Sequence, residues 1–325
     1  MPQPIYTADE LEAAQRIVYA AMPPTPQYAW PLLQDATGCE TWVKHENHTP
    51  TGAFKVRGGL VHMKMRKDRG ETGGVITATR GNHGQSIPFA ASRLGIRSTI
   101  VCPVGNSAEK NAAMRALGAE LIETGHDFDA ARETAMEIAK ARGLDFIASF
   151  GKELVMGVST YAHELFRAAG ELDAVYVPVG MGSGIVGTIA ARDFLGLKTR
   201  VIGVVAEGAN AVALSVAAGK PVSTNAASTF ADGMAVRVVN PDAFAHIHAG
   251  ADRIITVSDD EIAEAVRIYY RCCHTIAEGA GAAPLAALMQ EREQMKGKRV
   301  AVILSGGNID MPKFADVLEG RTPSP

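Results

Sequence analysis

The 325-residue chain has no block of like charge. Lys and Arg number 32 against 35 Asp and Glu, a net charge of −3. A nucleic-acid binder needs a basic footprint, and none is present. No stretch is long and apolar enough to cross a bilayer. The N-terminus, MPQPIYTADELEAAQRI, has no basic start followed by an apolar core, so it does not read as a secretory signal. A cytoplasmic protein that binds neither nucleic acid nor membrane is the expectation. Cysteines are few: Cys39, Cys102, Cys272 and Cys273. None belongs to a CxxC pair, and the His spacing near them fits no zinc pattern. Adjacent Cys272 and Cys273 would point to different sides of a helix and cannot easily bond each other. Free buried thiols in a reducing compartment, and no metal site, are expected. There is also no internal repeat and no linker rich in Pro, Gly or Ser, which implies interwoven lobes, one inserted in the other.

Hydrophobic residues make up 47% of the chain and charged residues 21%, the balance of a soluble globular protein. Its length suffices for two compact lobes. Thr7-Ala-Asp-Glu10 and Ser258-Asp-Asp-Glu261 have the form of capping boxes, each opening a helix, the second running toward Arg271. Short β-branched runs alternate with small-residue helical stretches. Strands are predicted at Thr41–His45, Val75–Thr79, Ser98–Cys102, Val175–Val179, Val201–Val205 and Val300–Leu304. Helices are predicted at Ala108–Leu117, Asp127–Ala141 and Leu154–Ala168. Apolar strands alternating with helices imply an α/β fold with parallel sheets covered on both faces. The smaller lobe is placed at residues 72–151 and the larger at 1–71 and 152–325.

Four segments can carry chemistry. The first is Thr51-Gly-Ala-Phe54-Lys55-Val-Arg57-Gly-Gly59, a lysine among glycines where a loop enters a helix. An amine serves carbonyl chemistry only when it can lose its proton, which burial favours, and small neighbours would let a bulky cofactor approach. Taken alone, Lys55 reads better as a solvated surface charge at a helix start. The second is Thr79-Arg80-Gly81-Asn82-His83-Gly-Gln85, which follows a strand and opens a helix. Successive backbone N–H groups there suit a carboxylate, although a tight turn alone would explain the Asn and Gly. The third is Gly180-Met181-Gly182-Ser183-Gly184-Ile-Val-Gly187, a loop fit to cradle phosphate. Gly182, Gly184 and Gly187 also satisfy GxGxxG, and Glu207 stands 20 residues beyond Gly187, so a nicotinamide oxidoreductase is a rival reading. The fourth is Ser305-Gly-Gly-Asn308, which places Ser305 at a carboxyl end of the sheet, where open α/β sheets bind ligands.

These segments, in this order, resemble the fold-type II pyridoxal-phosphate enzymes, and among them the serine/threonine dehydratase and serine racemase group. The resemblance runs from Pro24-Thr25-Pro26 to Ser305–Asp310. It implies a tryptophan synthase β-like fold of two αβα lobes with pyridoxal 5'-phosphate between them, in a homodimer. By position, Lys55 would form the Schiff base with Phe54 against the ring, and Asn82 would bond the ring hydroxyl oxygen. Gly180, Met181, Gly182, Ser183 and Gly184 would bind the phosphate, and Ser305 would face the pyridine nitrogen. Thr79, Arg80, Gly81, Asn82 and His83 would take the amino-acid substrate. The loops Ala231-Asp232-Gly233 and Glu278-Gly-Ala would line the pocket. The implied reaction eliminates water from a β-hydroxy-α-amino acid of threonine, serine or phenylserine type, with Lys55 removing the α-proton. Racemisation, β-replacement and 3-hydroxyaspartate dehydration are the alternatives inside the group.

The chain departs from that pattern at three places. Arg80 stands where the group usually has a small residue, and where serine racemases carry a second acid/base serine. It would meet a second carboxylate or an aromatic ring, or turn outward to pair with a surface acid. Met181 and Ser183 replace glycines of the commoner phosphate loop. Glu207 matches one acid of a cation site found in some relatives, but the second position is Ala213, so no metal is expected.

Overall fold

The computed structural model describes residues 4–126 and 128–325. Its strands are β1 (Gln27–Ala29), β2 (Glu40–His45), β3 (Val75–Ala78), β4 (Ser98–Cys102), β5 (Glu120–Glu123), β6 (Asp145–Phe146), β7 (Ala174–Pro178), β8 (Arg200–Ala206), β9 (Arg253–Val257) and β10 (Arg299–Leu304). Two compact units divide the chain. The first holds Pro24–His48 and Ser159–Pro325, with the described N-terminal residues up to Ile5. The second holds Tyr6–Pro23 and Thr49–Val158. These limits differ from the expected 1–71 and 152–325 against 72–151. The helices Ala8–Tyr19 and Lys55–Asp68 fall in the second unit because they pack on each other, and the latter also packs on the helix Asn82–Ser92. Residues 1–3 and Asp127, which those limits and the helix Asp127–Ala141 include, lie outside the described residues.

The first unit carries a sheet ordered β1-β2-β10-β7-β8-β9. All its pairings are parallel except the antiparallel edge pair β1–β2. Residues 300–304 of β10 and 174–177 of β7 are buried without alternation, the signature of strands covered on both faces. One cover is the helix Gly279–Gln290, whose residues Gly279 to Leu288 are all buried. Its run of Gly and Ala lets it pack closely on β7, β8, β9 and β10.

The second unit carries a parallel sheet ordered β5-β4-β3-β6. Ile76, Ala78 and Val101 meet Ala131, Ala135 and Ala139 of the helix Phe128–Arg142 in its core. Both capping boxes are present, at Thr7/Glu10 and Ser258/Glu261. The four cysteines are free thiols, and all but the half-buried Cys272 are buried.

Candidate active site

Lys55 is the first residue of the helix Lys55–Asp68. Glycines set how deeply that helix is seated. A Cβ on Gly59 would lie 2.2 Å from Ser86 Oγ and 2.8 Å from its carbonyl oxygen, and one on Gly58 would lie 2.7 Å from the Leu154 carbonyl. A Cβ on Gly157 would come within 2.2 Å of the Arg57 carbonyl. The glycines beside Lys55 therefore do not leave room for a cofactor, as the sequence suggested at Gly58 and Gly59. They admit the neighbouring helices, and Ser86 Oγ donates to the Lys55 carbonyl at 2.7 Å. Glycine inside a helix costs about 1 kcal/mol relative to alanine, so Gly58 and Gly157 at one crossing and Gly59 at another are the signal by which this packing could have been read.

The Lys55 amine lies 5.2 Å from the Phe54 ring centroid. The residue is half-buried, and desolvation pulls its pKa from 10.5 down to about 8. An amine so placed is a usable nucleophile and base near neutral pH.

Thr79 to His83 link β3 to the helix Asn82–Ser92. Thr79 Oγ1 accepts from the Gly81 N–H at 3.1 Å, which shapes the turn. Asn82 opens the helix, and His83 is buried on its first turn. Burial, with the charges of Lys55 and His62 nearby, holds the His83 pKa at about 3, so the ring is neutral. Arg80 is exposed. The outward pairing with a surface acid considered from the sequence is not seen: among the described residues no acid lies in ion-pair contact with Arg80.

In the first unit, Gly180 to Gly184 follow β7 and lead into the helix Ser183–Phe194. Gly182 adopts φ +98°, a left-handed conformation that favours glycine. A Cβ on Gly180 would lie 2.2 Å from the Gly233 carbonyl, which fixes this loop against the turn Asp232–Met234. Tyr161, which the sequence did not single out, donates its hydroxyl to the Gly184 carbonyl at 2.9 Å and meets Thr188 Oγ1 at 2.9 Å. Ser305 is buried at the end of β10. The Glu278 N–H donates to the Gly306 carbonyl at 3.0 Å, and Gly279 abuts Ala231. Loops 180–184, 231–233, 278–281 and 305–306 thus pack as one group at the carboxyl end of the sheet. They present backbone N–H groups and the Ser183 hydroxyl at a helix start, a donor set suited to a phosphate.

The sequence pattern of the pyridoxal-phosphate dependent enzymes matches residues 18–306. The chain belongs to that family. It is 33% identical over 306 residues to an L-threonine ammonia-lyase of Thermotoga maritima, covering 94% of this chain and 76% of the relative. It is 31% identical to an L-threo-3-hydroxyaspartate ammonia-lyase of Saccharomyces cerevisiae, covering 98% and 97%. The fold matches the processed form of threonine deaminase isoform 2 from Solanum lycopersicum with a TM-score of 0.87 at 32% identity, covering 98% and 95%. The protein is a pyridoxal-phosphate dependent enzyme of fold type II. The nicotinamide reading of Gly182, Gly184, Gly187 and Glu207 falls with this result. Glu207 begins a short turn after β8 and is exposed.

The residues present fit the cofactor of this pyridoxal-phosphate dependent enzyme. Lys55 offers an amine that loses its proton readily, and the loop 180–184 offers anion-binding donors. No helix among the described residues is long and apolar enough to cross a membrane.

Proposed function

We propose that this enzyme is a dehydratase of β-hydroxy-α-amino acids, releasing a 2-oxo acid and ammonia. The observation that carries the reading is Lys55, a half-buried amine with its pKa near 8 at a rigid helix start in a chain of this family. The relatives named as ammonia-lyases of threonine and hydroxyaspartate support it.

The bound cofactor supplies an electron sink that acidifies the substrate α-hydrogen. Lys55 holds the cofactor and then, as a neutral amine, takes the α-proton. Phe54 lies beside the Lys55 amine, and Asn82 would bond the cofactor ring oxygen. Gly180, Met181, Gly182, Ser183 and Gly184 would hold the phosphate. Thr79, Gly81, Asn82 and His83 hold the substrate carboxylate at the helix start. Ser305 supplies a hydroxyl in place of a carboxylate for the pyridine nitrogen. A neutral hydroxyl would not keep that nitrogen protonated, which would favour prompt loss of the β-hydroxyl. The Lys55 ammonium gives the proton it took to the leaving β-hydroxyl, so water departs and Lys55 is again a neutral amine, and hydrolysis of the released enamine gives the 2-oxo acid and ammonia. Under this reading the enzyme works as a homodimer, as the resemblance implies, in the cytoplasm.

The test is 2-oxo acid release from threonine, serine, 3-hydroxyaspartate and phenylserine, together with borohydride reduction and peptide mapping. Release from at least one of them, with the label on Lys55, is expected. A label elsewhere, or no 2-oxo acid from any of the four, would falsify the assignment.

Arg80 selects among these substrates. Its exposed guanidinium, in ion-pair contact with no described acid, stands beside the carboxylate loop and suits a second carboxylate through a bidentate bond. Arg80→Ala is expected to lower kcat/KM for 3-hydroxyaspartate about 10- to 100-fold more than for threonine, the worth of one charged hydrogen bond. A fall that is equal on both substrates makes Arg80 a structural residue. A fall confined to phenylserine transfers its role to an aromatic side group.

A further inference from the structure

The capping box at Ser258 uses Ser258 and Glu261 and leaves the aspartates between them to other partners. Asp260 takes the hydroxyl of Thr322 near the end of the chain. Asp259, the first residue of the helix Asp259–Cys273, takes the segment that leads into the turn Asp232–Met234. Its Oδ1 accepts from the Thr229 hydroxyl at 2.5 Å and its Oδ2 from the Phe230 N–H at 3.1 Å. Thr229 Oγ1 in turn accepts from the Ala231 N–H at 3.1 Å. One carboxylate therefore engages Thr229 and Phe230 directly and Ala231 through a hydroxyl. Thr229, Phe230 and Ala231 are all buried, so water is a poor substitute for this partner. Hydrogen bonds to a carboxylate are stronger than neutral ones, and the first turn of a helix favours a negative charge.

The segment so held touches the phosphate loop. Beyond Ala231 the chain closes on itself: the Asp232 N–H donates to the Phe230 carbonyl at 3.0 Å and the Met234 N–H to the Ala231 carbonyl at 2.8 Å. These bonds tie Gly233 to Phe230 and Ala231. The Gly233 carbonyl is the atom that a Cβ on Gly180 would meet at 2.2 Å. The same segment abuts the start of the helix Gly279–Gln290: a Cβ on Gly279 would lie 2.8 Å from the Ala231 Cα, and one on Gly233 would lie 3.0 Å from the Ala280 Cβ. Close contact of this kind resists compression but has no preferred direction, whereas a hydrogen bond has one. The Asp259 carboxylate supplies the direction.

We propose that Asp259 and Thr229 are positioning residues for the cofactor phosphate: their bond sets the Gly233 carbonyl against Gly180 and so aims the N–H groups of residues 180–184. The inference rests on the reading of those residues as the phosphate site. Both side chains act through the segment 229–233. Without the carboxylate, the Thr229 hydroxyl and the Phe230 N–H lose a buried acceptor, and the segment shifts to find another. The Gly233 carbonyl then no longer backs Gly180. Lys55 belongs to the second unit, so the combination of its amine with an aldehyde does not depend on this bond.

The test titrates the full-length enzyme, freed of its cofactor, with pyridoxal 5'-phosphate and separately with pyridoxal, which has the aldehyde but no phosphate. Asp259→Ala and Thr229→Val are each expected to weaken binding of the phosphate form about tenfold, the worth of a buried hydrogen bond to a charged group, and binding of pyridoxal less than about twofold. Thr229→Ser keeps the hydroxyl and is expected to bind both as wild type does. Should Asp259→Ala fail to fold, Asp259→Asn, which keeps the shape and one acceptor oxygen, is expected to show a smaller loss confined to the phosphate form. Wild-type affinity for pyridoxal 5'-phosphate in the Asp259 and Thr229→Val variants overturns the proposal. So does an equal loss for pyridoxal, or a Thr229→Ser loss as large as that of Thr229→Val, since each marks a general packing role. Gly180→Ala separates the premise from the inference. Unchanged affinity in that variant defeats the assignment of the phosphate site, whereas a loss there beside wild-type binding in the Asp259 variant defeats the positioning role alone.

Discussion

Lys55→Ala is expected to lower turnover by more than about 1000-fold while the protein remains folded, because one group is lost as both cofactor anchor and base. The effect on pH dependence is as specific. With its pKa at about 8, the Lys55 amine should combine with pyridoxal phosphate at a rate that rises through pH 8 and then levels. An amine at its ordinary value would rise until about pH 10.5. Stability carries the same signature. Below pH 8 the amine is charged in both states, and the folded state bears the desolvation penalty. Between about pH 8 and 10.5 the unfolded chain binds the proton and the folded chain does not, so stability rises with pH across that window. The penalty below pH 8 is on the order of 2 kcal/mol, given that Lys55 is half-buried. Lys55→Met should therefore make the cofactor-free protein more stable at pH 7, and the gain should vanish above pH 10.5. Denaturant titrations at pH 7 and pH 10.5 check this. Equal stability of Lys55→Met and wild type at both values would mean that the amine is not desolvated.

Gly180→Ala is expected to weaken pyridoxal-phosphate binding about 10- to 100-fold. The added methyl would meet the Gly233 carbonyl at 2.2 Å, and overpacking against rigid backbone costs about 1–3 kcal/mol. Neither partner can yield as a flexible side chain would. The loop 180–184 must then shift away from the turn Asp232–Met234, and its N–H groups lose their aim. Met181→Gly, which moves the loop toward the commoner glycine-rich form, is expected to leave affinity within about threefold, since the donors are backbone groups. Equilibrium titration with pyridoxal phosphate separates the two variants. If Gly180→Ala binds as wild type does, the loop is not the phosphate site.

The interior of each sheet could be read from the chain, and the edges could not. The six expected strands are β2, β10, β7 and β8 of one sheet and β3 and β4 of the other, and every one has a strand on both sides. Such strands are buried on both faces and read as continuous β-branched runs. The four unread strands, β1, β9, β5 and β6, are the sheet edges. An edge is part-exposed and short. β5 is Glu-Leu-Ile-Glu with both ends exposed, β6 has two residues, and β1 has three between Pro26 and Pro31. Only β9, Arg-Ile-Ile-Thr-Val, had the composition to be noticed.

By itself the sequence determined the fold class, the two capped helices and the positions of Lys55, the Asn82 loop, the glycine loop at 180–184 and Ser305. Each is a local fact: a period of apolar residues, a cap, or a turn following a strand. The order of these segments carried the family, and the match over residues 18–306 bears it out. Only the tertiary structure decided how the chain divides into units, because that depends on which helices pack together and not on any linker. It alone showed that Gly58, Gly59 and Gly157 make room for backbone and Ser86 rather than for cofactor. It left Arg80 exposed and buried the unpartnered Nε2 atoms of His83 and His62. Those are long-range contacts, between residues as far apart as 57 and 157 or 62 and 153, and periodicity along a chain carries no information about them.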